Sequence, residues 1–311
     1  MDLYDPDREA TPDIDIASRE PGSHFLRRAP MCIPHPLECE RRRPPRQARW
    51  SPSRDRGHRS RPRKPRSHHE GWHSPRLRTA PDGGPIRINF NYRNGFTTSA
   101  GFGLKPGRDQ YFEGPHEAAY FRLLETDCDT IDYQFQPVQA EWTTARGETR
   151  RYTFDAVREA AELELIEIKA DWSYFHEPQT ADTLAAAEEA IAQHGLKLKR
   201  VVGSDLIDNV RSRIIKDVFA CRLTAFGQRE RDLVQELITA AGGHAPLGLV
   251  RERLSNDRYL ARAIANAMLV RRAIGFSLTR PPSADTPVHL PATPAASKLR
   301  ALLHRHCDDA S

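Results

Sequence analysis

The chain has 311 residues, a mass of 35.3 kDa, a formal net charge of +5 and a pI near 9.0. This length allows one or two domains that each bury a hydrophobic core, and the modest positive charge permits a polyanionic partner without requiring one. Five scattered cysteines with no CxxC pair argue against a disulfide framework or a zinc ribbon. No run of about 18 apolar residues predicts a membrane span, and the acidic first residues are unlike a secretory signal, so we expect a cytoplasmic protein with no membrane partner.

Residues 1–84 differ in composition from the rest of the chain. Residues 41–78 contain 14 Arg and Lys against two acidic residues, Asp55 and Glu70, with Pro and Ser throughout. Such a segment buries too little apolar area to offset its ordering entropy, which predicts a disordered basic arm. Two interpretations stay open: an arm that binds DNA phosphates and releases their counterions, or a solvated tail that includes a start assigned too early.

Residues 85–225 have the pattern of an α/β domain. The predicted elements are a strand over 86–92, a Gly-rich loop over 94–107, a helix over 117–125, β segments over 130–143, 151–157 and 163–169, a helix over 180–194 and a strand over 197–202. Gly147 predicts a hairpin between the first two of the three β segments, and Gly195 predicts the end of the second helix.

Residues 226–290 predict a small winged-helix-like domain. Three short helices are expected over 229–241, 247–254 and 259–274, and residues 276–288 (FSLTRPPSADTPV) are typical of a β-hairpin wing. Residues 291–311 are expected to be a polar tail with at most one short helix.

The strongest chemical signal is Asp155 on one predicted strand and Glu167-Ile168-Lys169 on the next. Residues i and i+2 of a strand point to one face, so Glu167 and Lys169 should project together while Ile168 turns into the core. Two carboxylates offer the hard oxygen ligands that magnesium prefers, completed by waters and substrate phosphates. From this pattern alone, an ordinary ion pair on a partly exposed edge strand remains an alternative.

Four features carry a family resemblance through their order and spacing: Glu117 on its helix, YQFQP at 133–137, YTFD ending at Asp155 and IEIK ending at Lys169. Over residues 90–220 the chain resembles the catalytic domain of TnsA-family transposase endonucleases, which belong to the PD-(D/E)XK nuclease group. The resemblance implies a restriction-endonuclease-like core, a mixed sheet flanked by helices. The chain departs from the family pattern at two places. Phe154 stands where the wider group often has Pro before the aspartate, and Gly114 and Pro115 make the start of the helix uncertain.

The resemblance also implies site residues and partners. Glu117, Asp155, Glu167 and Lys169 would be catalytic, and the first three would bind Mg²⁺, for which Mn²⁺ can substitute. The Ile168 carbonyl would be a further ligand, and Lys169 would orient water or stabilise the pentacovalent state.

The implied function is a metal-dependent DNA endonuclease subunit that cuts the non-transferred strand at transposon ends. Its implied partners are double-stranded DNA, a DDE-type transposase and an ATPase regulator. Two alternatives stay open: a stand-alone restriction or repair nuclease, and a non-catalytic DNA-binding protein on the same scaffold. Gln134 and Gln136 are expected either to face solvent or to position DNA or water near the site.

Overall fold

The computed structural model describes residues 73–87, 98–144, 146–292 and 296–305. These residues form a mixed α/β structure, as predicted, with several sheets and seven α-helices. The predicted basic arm lies largely outside the described residues, and so does the strand predicted over 86–92 apart from its first two residues, which lie in no strand. None of the described helices is long and apolar enough to span a bilayer.

The secondary structure elements follow the chain in this order. The strands are β1 His73–Thr79, β2 Thr98–Gly103, β3 Arg108–Glu113, β4 Asp132–Phe135, β5 Val138–Thr143, β6 Thr149–Thr153, β7 Ala156–Glu159, β8 Leu163–Lys169, β9 Lys197–Val202, β10 Ala245–Pro246 and β11 Pro287–Val288. The α-helices are α1 Gly114–Thr126, α2 Pro178–Ala192, α3 Val210–Ala220, α4 Gln228–Ala240, α5 Leu247–Leu254, α6 Arg258–Val270 and α7 Lys298–Arg305. Short 3-10 helices span Trp172–His176 and Gly203–Leu206.

A four-stranded mixed sheet in the order β4-β7-β8-β9 forms the centre of the α/β part. The β4-β7 and β7-β8 pairs are antiparallel, whereas β8 and β9 are parallel and are connected through α2. Because the sheet is covered on both faces, β8 has apolar residues pointing both ways: Ile166 and Ile168 share a core cluster with α1, and Leu165 shares one with α2. The predicted strand over 163–169 is confirmed at both ends.

A second sheet, ordered β1-β5-β6, corrects the predicted boundary of the arm at residue 84. β1 pairs antiparallel with β5 from His73 opposite Thr143 to Thr79 opposite Val138, and Leu77 is buried in the core. The Arg-rich composition concealed this strand because its outward residues are charged while only alternate residues face the core. The predicted hairpin at Gly147 is confirmed, since β5 and β6 are antiparallel and Gly147 has a φ of 79°.

The loop predicted over 94–107 is wrong over residues 98–103, which form β2 of an antiparallel hairpin with β3, and is confirmed over 104–107, which form the turn of that hairpin. The glycines in β2 mark close packing. A Cβ on Gly101 would lie 3.1 Å from the Phe121 ring, and one on Gly103 would lie 2.6 Å from the Tyr133 hydroxyl oxygen. Glycine in a strand therefore reflects here the close approach of aromatic side chains.

The carboxy-terminal helices α4, α5 and α6 agree with the predicted positions to within four residues. The predicted wing hairpin is not formed by residues 276–288 alone: β11 pairs with β10, which precedes α5, and a bridge between Gly275 and His289 closes the intervening loop. Pro281 and Pro282 explain the missing strands, since proline has no N–H to donate to a ladder.

Core contacts cross the predicted domain boundary at residue 225. The sequence pattern did not predict α3. This helix begins with a capping box in which Asn209 and Ser212 exchange hydrogen bonds. Val218 of α3 belongs to the core of the carboxy-terminal helices, whereas Phe219 packs against Phe121 of α1 with ring centroids 5.6 Å apart. α3 therefore joins the two parts.

The predicted polar tail is also corrected, because α7 packs back onto the α/β part. Leu299 and Leu303 are buried in the cluster that contains Leu77 and α2. The Glu159 carboxylate on β7 accepts hydrogen bonds from Ser297 Oγ at 2.7 Å, Lys298 N at 2.8 Å and Leu299 N at 3.0 Å. A carboxylate at a helix amino terminus satisfies amides that the helix itself leaves free.

Candidate active site

Strand β8 brings Glu167 and Lys169 together, as the alternation of side chains predicts. Lys169 Nζ donates a hydrogen bond to Glu167 Oε1, and the Glu167 side chain is only 1% exposed. Ile168 lies in the cluster with α1. β8 is an internal strand, between β7 and β9, so the alternative of an ion pair on an edge strand does not describe this position.

Asp155 lies at the bend between β6 and β7, where hydrogen bonds fix both its backbone and its side chain. Its N–H donates to Ile166 O at 3.1 Å, and its carbonyl accepts from Gln136 N at 2.9 Å. The Ile168 N–H donates to Asp155 Oδ2 at 2.6 Å. Among the described residues no donor reaches Asp155 Oδ1, so one oxygen of this carboxylate is held and the other is free for a ligand.

Glu117 lies in the first turn of α1. The helix begins at Gly114, three residues before the predicted start, with Gly114 at a φ of 76° and Pro115 in the first turn. Glu117 Oε2 accepts a hydrogen bond of 2.9 Å from the Glu113 N–H, which fastens the carboxylate to the helix end.

These residues form one electrostatic cluster. Burial is the largest cause that raises the pKa of Asp155 well above its usual value, and the charges of Glu167 and Glu117 raise it further. The residue is nevertheless partly exposed at the surface. Burial also raises the pKa of Glu117 to about 7, with Glu113 and Glu167 adding to the rise. Burial raises the pKa of Glu167 against the opposing charge of Lys169. Like-charged carboxylates in a desolvated site thus make ionisation costly.

Lys169 stays cationic in this cluster. Burial alone would lower the pKa of Lys169, but the charges of Glu167 and Asp155 outweigh burial and raise it. At neutral pH this lysine is therefore a hydrogen-bond donor and a positive charge, and cannot accept a proton.

One atom of the cluster lacks a partner. Glu167 Oε2 is buried and receives no hydrogen bond from the described residues, and a buried polar atom without a partner costs about 1–3 kcal/mol. The Tyr152 hydroxyl lies near enough to lower the pKa of Glu167, yet it does not reach Oε2 with hydrogen-bond geometry. A hydrogen-bond donor or a cation could complete this oxygen.

The three carboxylates are near one another without closing into a tight cage. Within the described part of the chain, only Asp127, Cys128 and Asp129 place three ligand atoms within 4.8 Å of one another. That group has a structural explanation: Arg158 and Thr130 already donate to Asp127, and burial raises the pKa of the Cys128 thiol to about 11, which keeps it protonated. It is therefore a poor metal site.

Several neighbours of the site were not recognised from the sequence. Tyr152 and Arg87 both interact with Glu167, and Arg87 Nε donates to Gln136 Oε1 at 3.4 Å. Gln136 has a left-handed φ of 50°, and both it and Gln134 are buried, so the prediction that they face solvent is wrong. No spacing rule identifies these residues, because only the packing of β4, β6 and β7 brings them to the site.

Comparison of the sequence with models of protein families and with curated proteins gives no match.

Proposed function

We propose that the chain is a metal-dependent DNA endonuclease whose active site consists of Glu117, Asp155, Glu167 and Lys169. The observation that carries the proposal is the buried, unpartnered Glu167 Oε2, in one electrostatic cluster with the Asp155 carboxylate and the Lys169 ammonium group. A folded protein rarely leaves such an atom unsatisfied unless a ligand completes it.

The donor set fits a hard divalent cation. Glu117, Asp155 and Glu167 offer carboxylate oxygens only, and magnesium commonly uses one or two carboxylates, together with waters and substrate phosphates, so a closed protein cage is not required. Mg²⁺ is the proposed ion, with Mn²⁺ as a substitute. When bound, a divalent cation would lower the pKa of water and neutralise charge that develops on the phosphate.

Each residue has a distinct role in this proposal. Asp155 and Glu167 hold the cation. The Asp155 carboxylate is oriented by the hydrogen bond from the Ile168 N–H and by the hydrogen bonds of the Asp155 backbone. Glu117 completes the set from α1. Lys169, protonated at neutral pH, donates to the attacking water or to a phosphate oxygen and offsets charge in the transition state.

The architecture supports a restriction-endonuclease-like core, because Glu167 lies on β8 and Asp155 directly precedes the adjacent strand β7 in a mixed sheet with α1 and α2 against it. The order α4-β10-α5-α6-β11, with β10 paired to β11, supports a winged-helix-like domain after it. A role as a transposase subunit that cuts the non-transferred strand, with a DDE-type transposase and an ATPase regulator as partners, rests on the motif resemblance. A stand-alone nuclease would use the same site and differ only in needing no partner.

The test is nicking of supercoiled plasmid by the full chain with Mg²⁺, Mn²⁺ or Ca²⁺, alone and with a DDE-type transposase encoded beside it. We expect Mg²⁺ and Mn²⁺ to support cleavage and Asp155→Asn or Glu167→Gln to abolish it. Glu164→Gln is the matched control, because Glu164 is on the same strand but pairs with Arg158 and Lys199 away from the site. Cleavage at the wild-type rate by Asp155→Asn would refute the assignment. Cleavage that is equally fast without the transposase would favour the stand-alone nuclease.

A further inference from the structure

A cavity of about 640 Å³ lies between the end of α5 and the start of α6, outside the candidate active site. Its charged lining is strongly basic, with three guanidinium groups, from Arg251, Arg258 and Arg262, against the single carboxylate of Glu252. Ser255 and Asn256, in the turn between the helices, add polar side chains. The cavity therefore offers many hydrogen-bond donors to an anion.

Arg251 lacks a partner that an anion would supply. Its Nε is buried and forms no hydrogen bond with the described residues. Burial, and then the neighbouring charge of Arg262, lower the pKa of Arg251. The one carboxylate paired with Arg262 is Asp217, at 3.6 Å, and both side chains are more than half exposed, so this ion pair is weak.

Helix α6 presents the other donors to solvent. Arg258 and Arg262 are four residues apart and so lie on one face of the helix. The Arg258 guanidinium lies 4.7 Å from the centre of the Tyr259 ring and donates to its hydroxyl at 2.7 Å, while Tyr259 remains 69% exposed. Asp257 accepts from the N–H groups of Tyr259 and Leu260, so these two amides are satisfied and the side chains are the main donors that remain for an anion.

We propose that this surface, formed by Arg251, Arg258, Tyr259 and Arg262, binds the phosphodiester backbone of double-stranded DNA. Guanidinium groups recognise phosphate oxygens through paired hydrogen bonds, and Arg258 and Arg262 lie in the exposed first part of α6, whereas the rest of the helix is buried. Three guanidinium groups against one carboxylate favour a polyanion such as DNA over a protein surface of mixed charge. The inference deepens the proposed function by naming a second DNA contact, and it rests on that function only for the choice of DNA.

The test measures DNA affinity of the full chain by fluorescence anisotropy with a 25-base-pair duplex, in EDTA and over a series of NaCl concentrations. Each phosphate contact contributes about 0.9 to the slope of log affinity against log salt. We expect Arg251→Gln/Arg262→Gln to make this slope shallower by about 2, and the exposed Arg258→Gln by about 1, for any duplex sequence. The matched control is Lys197→Gln/Lys199→Gln, which removes two charges from β9 and none from the proposed surface. It should leave the slope unchanged.

Unchanged slopes in Arg258→Gln, together with unchanged slopes in a folded Arg251→Gln/Arg262→Gln, would overturn the inference. An equal loss in the lysine control would overturn it as well, since net charge and not this surface would then hold the DNA. Normal DNA binding with loss of binding to the transposase would assign the surface to protein. Because EDTA prevents cleavage, these outcomes do not depend on whether Asp155 and Glu167 cut DNA.

Discussion

Glu117, Asp155 and Glu167 illustrate how the proposed function and stability oppose each other at single residues. Each carboxyl group has a raised pKa with burial as the largest cause, so each costs folding free energy when it ionises. Ordinary packing would favour an uncharged side chain at all three positions. A chain that retains three such acids beside Lys169 is suited to a cation that offsets their charge.

The first prediction concerns stability without metal. A raised pKa in the folded state means that the folded protein keeps its proton longer than the unfolded chain, so stability falls as pH rises above the unfolded value. Asp155→Asn cannot ionise, and Asn can still accept from the Ile168 N–H. In EDTA at pH 8 this variant should therefore be more stable than wild type, by about 1 kcal/mol or more, and the gain should shrink at pH 4.

Urea unfolding at the two pH values checks this expectation. Glu164→Gln is the opposite control: hydrogen bonds to Arg158 and Lys199 lower the pKa of Glu164 despite its partial burial, so its loss should destabilise the protein at pH 8. An Asp155→Asn variant that is less stable than wild type at pH 8 would show that the carboxylate has a structural role.

The second prediction concerns the pH dependence of metal binding. With a pKa of about 7, the Glu117 carboxyl is largely protonated at pH 6 and largely ionised at pH 8. Mn²⁺ should therefore bind more tightly at pH 8, and binding at pH 6.5 should release protons. Calorimetry in buffers of different ionisation enthalpy measures this release, which should be smaller in Glu117→Gln. Equal proton release in both proteins would assign the titration to other groups.

The third prediction separates the charge of Lys169 from a structural role. Lys169→Met keeps the apolar stem and removes the ammonium group. We expect it to lose cleavage while retaining Ca²⁺-supported DNA binding within about threefold, because a donor to the reacting groups contributes mainly in the transition state. Parallel anisotropy and nicking assays measure both. Loss of both activities to the same extent would indicate that Lys169 mainly maintains the fold of the site.

At the scale of elements, the end of β9 shows how a glycine fixes the amino terminus of α1. A Cβ on Gly203 would lie 2.4 Å from His116 Cγ and Nδ1, so only glycine leaves room for the ring. His116 directly precedes Glu117, and its Nδ1 is buried without a hydrogen-bond partner. The tight contact between Gly203 and His116 thus helps to set the position of the Glu117 carboxylate.

The fourth prediction follows from this contact. Gly203→Ala should destabilise the protein by about 1–3 kcal/mol, because the overpacked side chain must displace the ring or the strand end. His116→Ala in the same chain should recover part of the loss, which a double-mutant cycle in urea unfolding would measure. Additive effects of the two substitutions would show that groups other than the His116 ring move to make room for the Cβ at position 203.

At the scale of the whole molecule, the α/β core is completed by segments from both ends of the described chain. β1 contributes Leu77, and α7 contributes Leu299 and Leu303, to one cluster with α2. A fragment that ends at residue 225 would lack α7 and leave the Glu159 carboxylate without the amides that it binds. The part that carries the candidate site therefore depends on residues more than 120 positions away.

The fifth prediction distinguishes two truncations that differ by only eight residues. Removing residues 1–72 should leave the free energy of unfolding nearly unchanged, since it spares β1. Removing residues 1–80 should cost several kcal/mol, because it exposes the β5 edge and leaves a cavity at Leu77, where loss of one buried leucine side chain costs about 2–5 kcal/mol. Equal stability of the two truncated proteins in urea would show that β1 does not support the core.

The sequence alone was sufficient where the physical signal is local. The alternation in LELIEIK determined strand β8 and the shared face of Glu167 and Lys169, and helical spacing with a glycine stop predicted α2. A turn at Gly147 likewise needs only nearby residues. These features depend on side-chain direction along one element, which the order of residues specifies directly.

Only the tertiary structure decided the features that depend on distant contacts. β1 gains its strand partners 59 to 70 residues later, the glycines of β2 are explained by rings from α1 and β4, and the amides of α7 find their acceptor on β7. The same holds for the meeting of Glu117 with Asp155 and Glu167, and for the missing partner of Glu167 Oε2. Burial and the pKa values that follow from it arise from packing between elements, and no periodicity within a single element specifies them.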